Sequence, residues 1–479
     1  MLVALPTRRV LMSLAITTVA SLLILGVVLP SSRITLRDLV TQKLTPAAPT
    51  PPTPPTPKVE KPPPPPPPPK TKSKYKPTPT YLPPPIKDNF PLLATSTSLP
   101  PVPKWNQPRE NAYKDYDLPL PPPLLIGFTR NWPILLQAVV SYITAGWPPS
   151  QIYVVENTGA QQANTRGQLT LQNPLFLNHT ALKTLGVNII QTPTLLSFAQ
   201  LQNFFLAETY TREWPYFFWS HMDVLALSFE AGEDGVTPPY DQPGYGSLYE
   251  LALAALQDAR EGAEAEGAEE RKRKWGLRFF SYDHLTLVNP AAYEDVGGWD
   301  TMIPYYLTDC DMLGRLTMRG WGIEDVSVGI ITDVASTLED LSALYRVEGV
   351  PVGFVDPNPP PPKKEEGDKK GGKPKRDAPT EDGEKNDDPN LAKWDALRET
   401  AAQMYDHKYG DRERNTWQVA QHGGEGEPFY YHPAGLAEAL DLITETGREV
   451  YRRKWGHRDC DLSDTDRKFD DAWKVEKDW

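Results

Sequence analysis

The sequence predicts an α/β protein, a mostly parallel sheet flanked by helices with a helical carboxyl-terminal extension. Three observations point there. From Leu124 onward, apolar runs of strand length alternate with stretches of helical apolar spacing, the pattern of βαβ units. The run Tyr216-Phe217-Phe218-Trp219 has no helical spacing and reads as a strand buried on both faces. Polar clusters close these runs, Glu156-Asn157 after one and Ser220-His221-Met222-Asp223 after another. Open α/β sheets build ligand sites at the carboxyl ends of their strands.

The elements follow in order. Leu124-Leu125-Ile126-Gly127-Phe128 is a first strand, and residues 132–145 carry helical spacing behind Asn131 and Pro133. Residues 151–155 and 187–190 are further strands, and residues 198–212 a helix before the aromatic strand. Residues 230–274 are broken by Gly, Pro and charge, and about 231–274 reads as a surface insertion. Residues 275–289 resume a strand pattern, interrupted by Tyr282, Asp283 and His284. Gly297-Gly298-Trp299-Asp300 is a turn in which glycine lets the backbone approach a ligand. Thr308-Asp309-Cys310-Asp311 opens a helix, where carboxylates are favoured by the dipole; capping needs only one acid, and there are two. Residues 326–331 form a strand ending near Asp333.

Composition sets the boundaries. Of 479 residues, 53 are proline, about twice the usual share. Most of the excess lies near the amino end. Residues 10–29 are uncharged and almost wholly apolar, long enough to span a bilayer. Arg8 and Arg9 precede them, which favours a cytoplasmic tail over residues 1–9. An uncleaved signal anchor is preferred to a cleaved signal peptide, because the run is long and no A-x-A site follows. Residues 30–123 read as a proline-rich disordered stem, a spacer between membrane and domain. Residues 124–355 would form the main domain, 356–390 a disordered charged insertion, and 391–479 a helical part packing on that domain. The net charge of −12 with no basic face argues against nucleic acid. Two cysteines, Cys310 and Cys460, exclude a disulfide scaffold; they form either one bridge in an oxidising lumen or two thiols. Asn178-His179-Thr180 is a glycosylation sequon, in keeping with a luminal placement.

In order and spacing, these pieces over residues 124–333 resemble the GT-A class of nucleotide-sugar glycosyltransferases, particularly its inverting family-2-like and fungal Golgi members. His221-Met222-Asp223 sits where that family carries its DXD metal motif. Val296-Gly297-Gly298-Trp299-Asp300 resembles its GGFD turn, and Thr308-Asp309-Cys310-Asp311-Met312-Leu313-Gly314-Arg315-Leu316 its E-D-x-D-x-x-x-R-L helix start. The resemblance implies a type II Golgi or ER membrane protein with a luminal catalytic domain. It would transfer a sugar from a nucleotide-sugar donor to a glycan or glycoconjugate acceptor. Asp309 falls on the family's catalytic base, with Asp311 beside it. Glu156, Asn157 and His221 are expected at the nucleotide, Asp223 and Asp333 at a Mn2+ or Mg2+ ion, and Gly298, Trp299 and Asp300 at the acceptor. Two departures stand out: His221 replaces the first acid of the metal motif, and Thr308 replaces the glutamate beside the base. The alternative is a catalytically inactive GT-A-like protein that binds carbohydrate or serves as a scaffold.

The chemistry accounts for these residue types. A sugar hydroxyl is a poor nucleophile, so a carboxylate has to accept its proton during attack. The departing nucleoside diphosphate develops negative charge, which a cation or an imidazole stabilises.

Overall fold

The computed structural model describes residues 72–75, 77, 81–96, 98–267, 269–359, 388–411, 421–429 and 432–479. The chain divides into two compact units, Met1–Pro77 and Thr78–Trp479. Every element named below belongs to the second. The expected membrane span at residues 10–29 and most of the stem lie outside the described residues. So does the bulk of the charged insertion, residues 360–387. Among the described residues no helix is long and apolar enough to cross a membrane.

The centre is a seven-stranded, mostly parallel sheet of order β3-β2-β1-β4-β7-β6-β8. Its strands are β1 (Leu124–Phe128), β2 (Ile152–Glu156), β3 (Asn188–Gln191), β4 (Phe217–Ser220), β6 (Trp275–Phe280), β7 (Leu285–Val288) and β8 (Gly322–Asp325). Only β7 runs against its neighbours. A separate two-stranded ribbon pairs β5 (Val224–Leu227) antiparallel with β9 (Ile330–Asp333).

Side-chain alternation divides the core into two layers. Leu124, Ile126, Phe128 and Phe218 enter one cluster, while Leu125, Phe217 and Trp219 enter the other. On the first face lie α1 (Trp132–Thr144), buried at every position, and α3 (Leu248–Glu264). On the second lie α2 (Phe198–Thr211), α4 (Pro290–Asp295) and α5 (Thr308–Met318). Trp147, fully buried, packs edge-on against Phe218, Tyr142 and Tyr249 and joins sheet to helices. Burying one such large side chain is worth on the order of 3 kcal/mol.

Three boundaries differ from the sequence expectation. The insertion read at about 231–274 contains α3, whose buried face of Leu248, Tyr249, Ala252, Leu253 and Leu256 belongs to the core. Ser247 and Glu250 start it with a reciprocal capping box. The disordered stem does not extend to residue 123. Phe90, Ala112 and Leu118 are buried, and the Asn106 amide donates to the Thr144 carbonyl and to Glu230. Residues 326–331 are not one strand, since β8 ends at Asp325 and β9 begins at Ile330 in the other sheet. The carboxyl-terminal part is helical, with α6 (Pro389–Asp406) and α7 (Pro433–Trp455). Leu391, Trp394, Leu397, Ala401 and Met404 bury one face of α6.

Candidate active site

Strand register brings distant acids together at one end of the sheet. The β5–β9 ribbon places Val224 opposite Asp333, and the Val334 N–H donates to the Asp223 carbonyl at 2.8 Å. Asp223 therefore lies beside Asp333. The β6–β7 hairpin turns through a short helical turn, Tyr282–His284, next to the end of β4. Ser220 pairs with Leu285, and the His221 N–H donates to the His284 carbonyl at 3.1 Å. That turn is made by Ser281 and Tyr282, both at positive φ, a conformation costly for side-chain-bearing residues.

The result is a chain of charged groups. His221 has Nδ1 3.7 Å from Asp223 and Nε2 3.6 Å from Asp283. Burial disfavours a charged ring, but the Asp283 and Asp223 carboxylates outweigh it and push the His221 pKa up to about 10. His284 stands edge-on to His221 and 3.9 Å from Asp333; burial, and then the charge on His221, hold its pKa down. Asp309, half-buried in the first turn of α5, accepts from the Tyr282 hydroxyl at 3.3 Å. Burial raises its pKa and the Asp283 charge adds to the rise, against hydrogen bonds from the helix start and Tyr282. Asp223 and Asp309 thus belong to one connected cluster, linked through His221, Asp283 and Tyr282.

Lys408 completes the cluster. It stands on a single π-helical turn, His407–Asp411, that follows α6. Its ammonium donates to Asp223 at 2.8 Å, to Asp333 at 2.6 Å and to the Val334 carbonyl at 3.3 Å. Tyr409 donates its hydroxyl to the other Asp333 oxygen at 2.7 Å. Burial disfavours the Lys408 charge, yet the two carboxylates raise its pKa. Burial likewise opposes the Asp223 charge, and Lys408 and His221 reverse that, holding Asp223 well below the usual carboxylate range. As arranged, Asp223 and Asp333 do not fit a divalent cation. The ammonium already lies between them, where Mn2+ or Mg2+ would need its own carboxylate ligands close in. Among the described residues no group of three or more His, Cys, Asp or Glu is arranged to hold a metal ion.

Other expected site residues have structural contacts instead. Glu156 is fully buried and accepts from Asn164, Gln191 and Thr158, with His179 at 2.9 Å. Asn157 closes the turn after β2 by bonding both the N–H and the carbonyl of Leu196. These side chains are consumed inside the fold, and their strand end lies about 10 Å from that of β4, two strand spacings away. Asp311 is also fully buried, held by Arg315 at 2.8 Å, Lys454 at 2.7 Å and the Trp455 indole at 2.8 Å. All of its close partners lie within the fold. In the acceptor turn, a Cβ on Gly298 would sit 2.7 Å from Asn203, and Asn203 bonds both backbone groups of Trp299. Trp299 is buried against Phe198 and Tyr293. Asp300 is paired with Lys454 at 2.7 Å. Close packing, not ligand approach, explains the glycine and tryptophan here.

Cys310 and Cys460, 150 residues apart, form a disulfide that pins α5 to the carboxyl-terminal segment. Sequence reading singled out neither Lys408 nor Tyr409. A lone lysine after a helix carries no local signal, and only tertiary packing shows that it is buried.

No family model matches the sequence, and no curated protein matches it. Seventeen solved chains share some structural likeness. One is a mannosyltransferase from Pyrobaculum calidifontis in complex with GDP-Man and Mn2+, at 13% identity and a TM-score of 0.24. The match covers 45% of this chain and 60% of that one, so it spans less than two thirds of that protein. A likeness of this extent does not specify an activity.

Proposed function

We propose that the protein is a glycosyltransferase that moves a sugar from a nucleotide-diphosphate donor to a glycan or glycoconjugate acceptor, with Asp309 as general base. The observation that carries this reading is the convergence of Asp309, Asp283, His221 and Asp223 at the end of a mostly parallel sheet. Such strand ends are where α/β proteins hold their ligands. The raised pKa of Asp309 makes it a stronger proton acceptor than an ordinary carboxylate.

In this reading the acceptor hydroxyl attacks the anomeric carbon from the face opposite the leaving group. Its proton passes to Asp309. The bond from the anomeric carbon to the diphosphate breaks, and the electron pair leaves with the diphosphate. The configuration inverts. His221, held protonated by two carboxylates, supplies positive charge near the departing group. The disulfide supports an oxidising compartment and hence a luminal domain of a Golgi or ER membrane protein.

The test is a thermal-shift screen of UDP-, GDP- and other nucleotide sugars on the full chain, followed by transfer assays of any donor found. A donor that binds only the native state raises the melting temperature. An Asp309→Asn variant that keeps full transfer rejects the assignment of the base. The second reading, an inactive carbohydrate-binding or scaffold protein, draws on His221 in place of an acid in the metal motif. It predicts glycan binding with no turnover of any nucleotide sugar.

A further inference from the structure

We propose that Lys408 is a built-in replacement for the divalent cation, so that this site works without a metal ion. The proposal rests on the glycosyltransferase reading for the identity of the ligand, a nucleoside diphosphate, but not for the identity of the cation. Its basis is position. Asp223 and Asp333 come from two chain segments that the β5–β9 pairing sets side by side. Two carboxylates held together in a buried place repel each other unless a cation joins them. Here that cation is the Lys408 ammonium, in hydrogen-bond contact with one oxygen of each, while Tyr409 and His284 face the remaining Asp333 oxygen.

An ammonium and a divalent ion are not equivalent in such a place. A divalent ion neutralises a carboxylate pair and holds it through direct oxygen ligation. An ammonium leaves the pair one charge short and holds it through N–H···O hydrogen bonds, 2.8 Å to Asp223 and 2.6 Å to Asp333. The ammonium is fixed to the chain, so no chelator removes it.

Three measurements on the full chain decide it. In the first, Mn2+ is titrated into the wild type and into Asp223→Asn, with free ion read by electron paramagnetic resonance. The two are expected to bind alike; a wild type that holds one Mn2+ about tenfold more tightly than the variant overturns the proposal. In the second, Lys408→Met opens the carboxylate pair and is expected to gain Mn2+ affinity of about tenfold or more over the wild type. A folded Lys408→Met with no gain counts against it; should that variant not fold, the wild-type titration alone decides. In the third, the melting-temperature shift given by UDP and GDP is compared in EDTA and in Mn2+. Equal shifts support the proposal, and a shift seen only with Mn2+ overturns it. If neither nucleotide shifts the wild type under any condition, the glycosyltransferase reading fails, and the manganese titration still decides the role of Lys408.

Discussion

Two lysines of the carboxyl-terminal part each bridge two aspartates of the sheet half, and their surroundings differ. Lys454 joins Asp300 and Asp311 at 2.7 Å each. There the Asp311 oxygens are also taken by Arg315 and Trp455, and the second Asp300 oxygen accepts from the Met302 N–H. Lys408 joins Asp223 and Asp333 with comparable distances, but that pair continues through His221 and Asp283 toward Asp309, which is half-buried. The first arrangement is closed within the fold. The second leads outward to a carboxylate whose proton affinity burial has raised. Two acids only two positions apart on one helix, Asp309 and Asp311, thus stand in opposite surroundings. Their partners, not their residue type, decide which is which.

The comparison breaks most sharply at Asp311. Asp311→Ala leaves Lys454 and Arg315 buried without their shared carboxylate, at a cost of about 3–5 kcal/mol. Thermal unfolding should show a fall in Tm of about 10 °C or more. Asp309→Asn should do the reverse, with transfer falling about 10²–10⁴-fold. Tm should hold or rise slightly at neutral pH. The sign follows from linkage: a carboxyl whose native pKa is raised costs stability above that pKa and regains it as pH falls. Equal Tm losses in both variants would erase the distinction between the two clusters.

Cys460→Ser releases α5 from the chain end and should cost about 2–5 kcal/mol, read as a lower Tm that reductant also produces in the wild type. The smallest effect is expected of Tyr282→Phe. It removes a hydroxyl that holds the Asp309 pKa down, so the acid limb of the rate–pH profile should move to higher pH. The change in rate at neutral pH should be only a few-fold, the worth of about 1 kcal/mol for one hydrogen bond. The acid limb of the wild type itself should already lie above the usual carboxylate range. An acid limb at ordinary carboxylate values would remove Asp309 as the base.

Much of the sheet was legible because its signals are local. The apolar run Leu124–Phe128 and the run of aromatics from Tyr216 to Trp219 fix strands regardless of partners. The polar groups after those strands, His221 and Asp223, marked a site because strand ends are where side chains leave the core. The misreadings came where local and tertiary signals disagree. Helix Leu248–Glu264 was hidden among glycine, proline and acidic residues, although its Ser247 and Glu250 cap was present in the sequence. The partners of Glu156 and Asn157, namely His179, Gln191 and Leu196, lie too far along the chain for any local pattern to show them. Lys408 was invisible for a related reason. Its two partners lie 185 and 75 residues back, and no periodicity links them.

The bridging lysines also impose a sequence of events on folding. During synthesis the four aspartates emerge before either lysine, so neither bridge can form until its ammonium has followed.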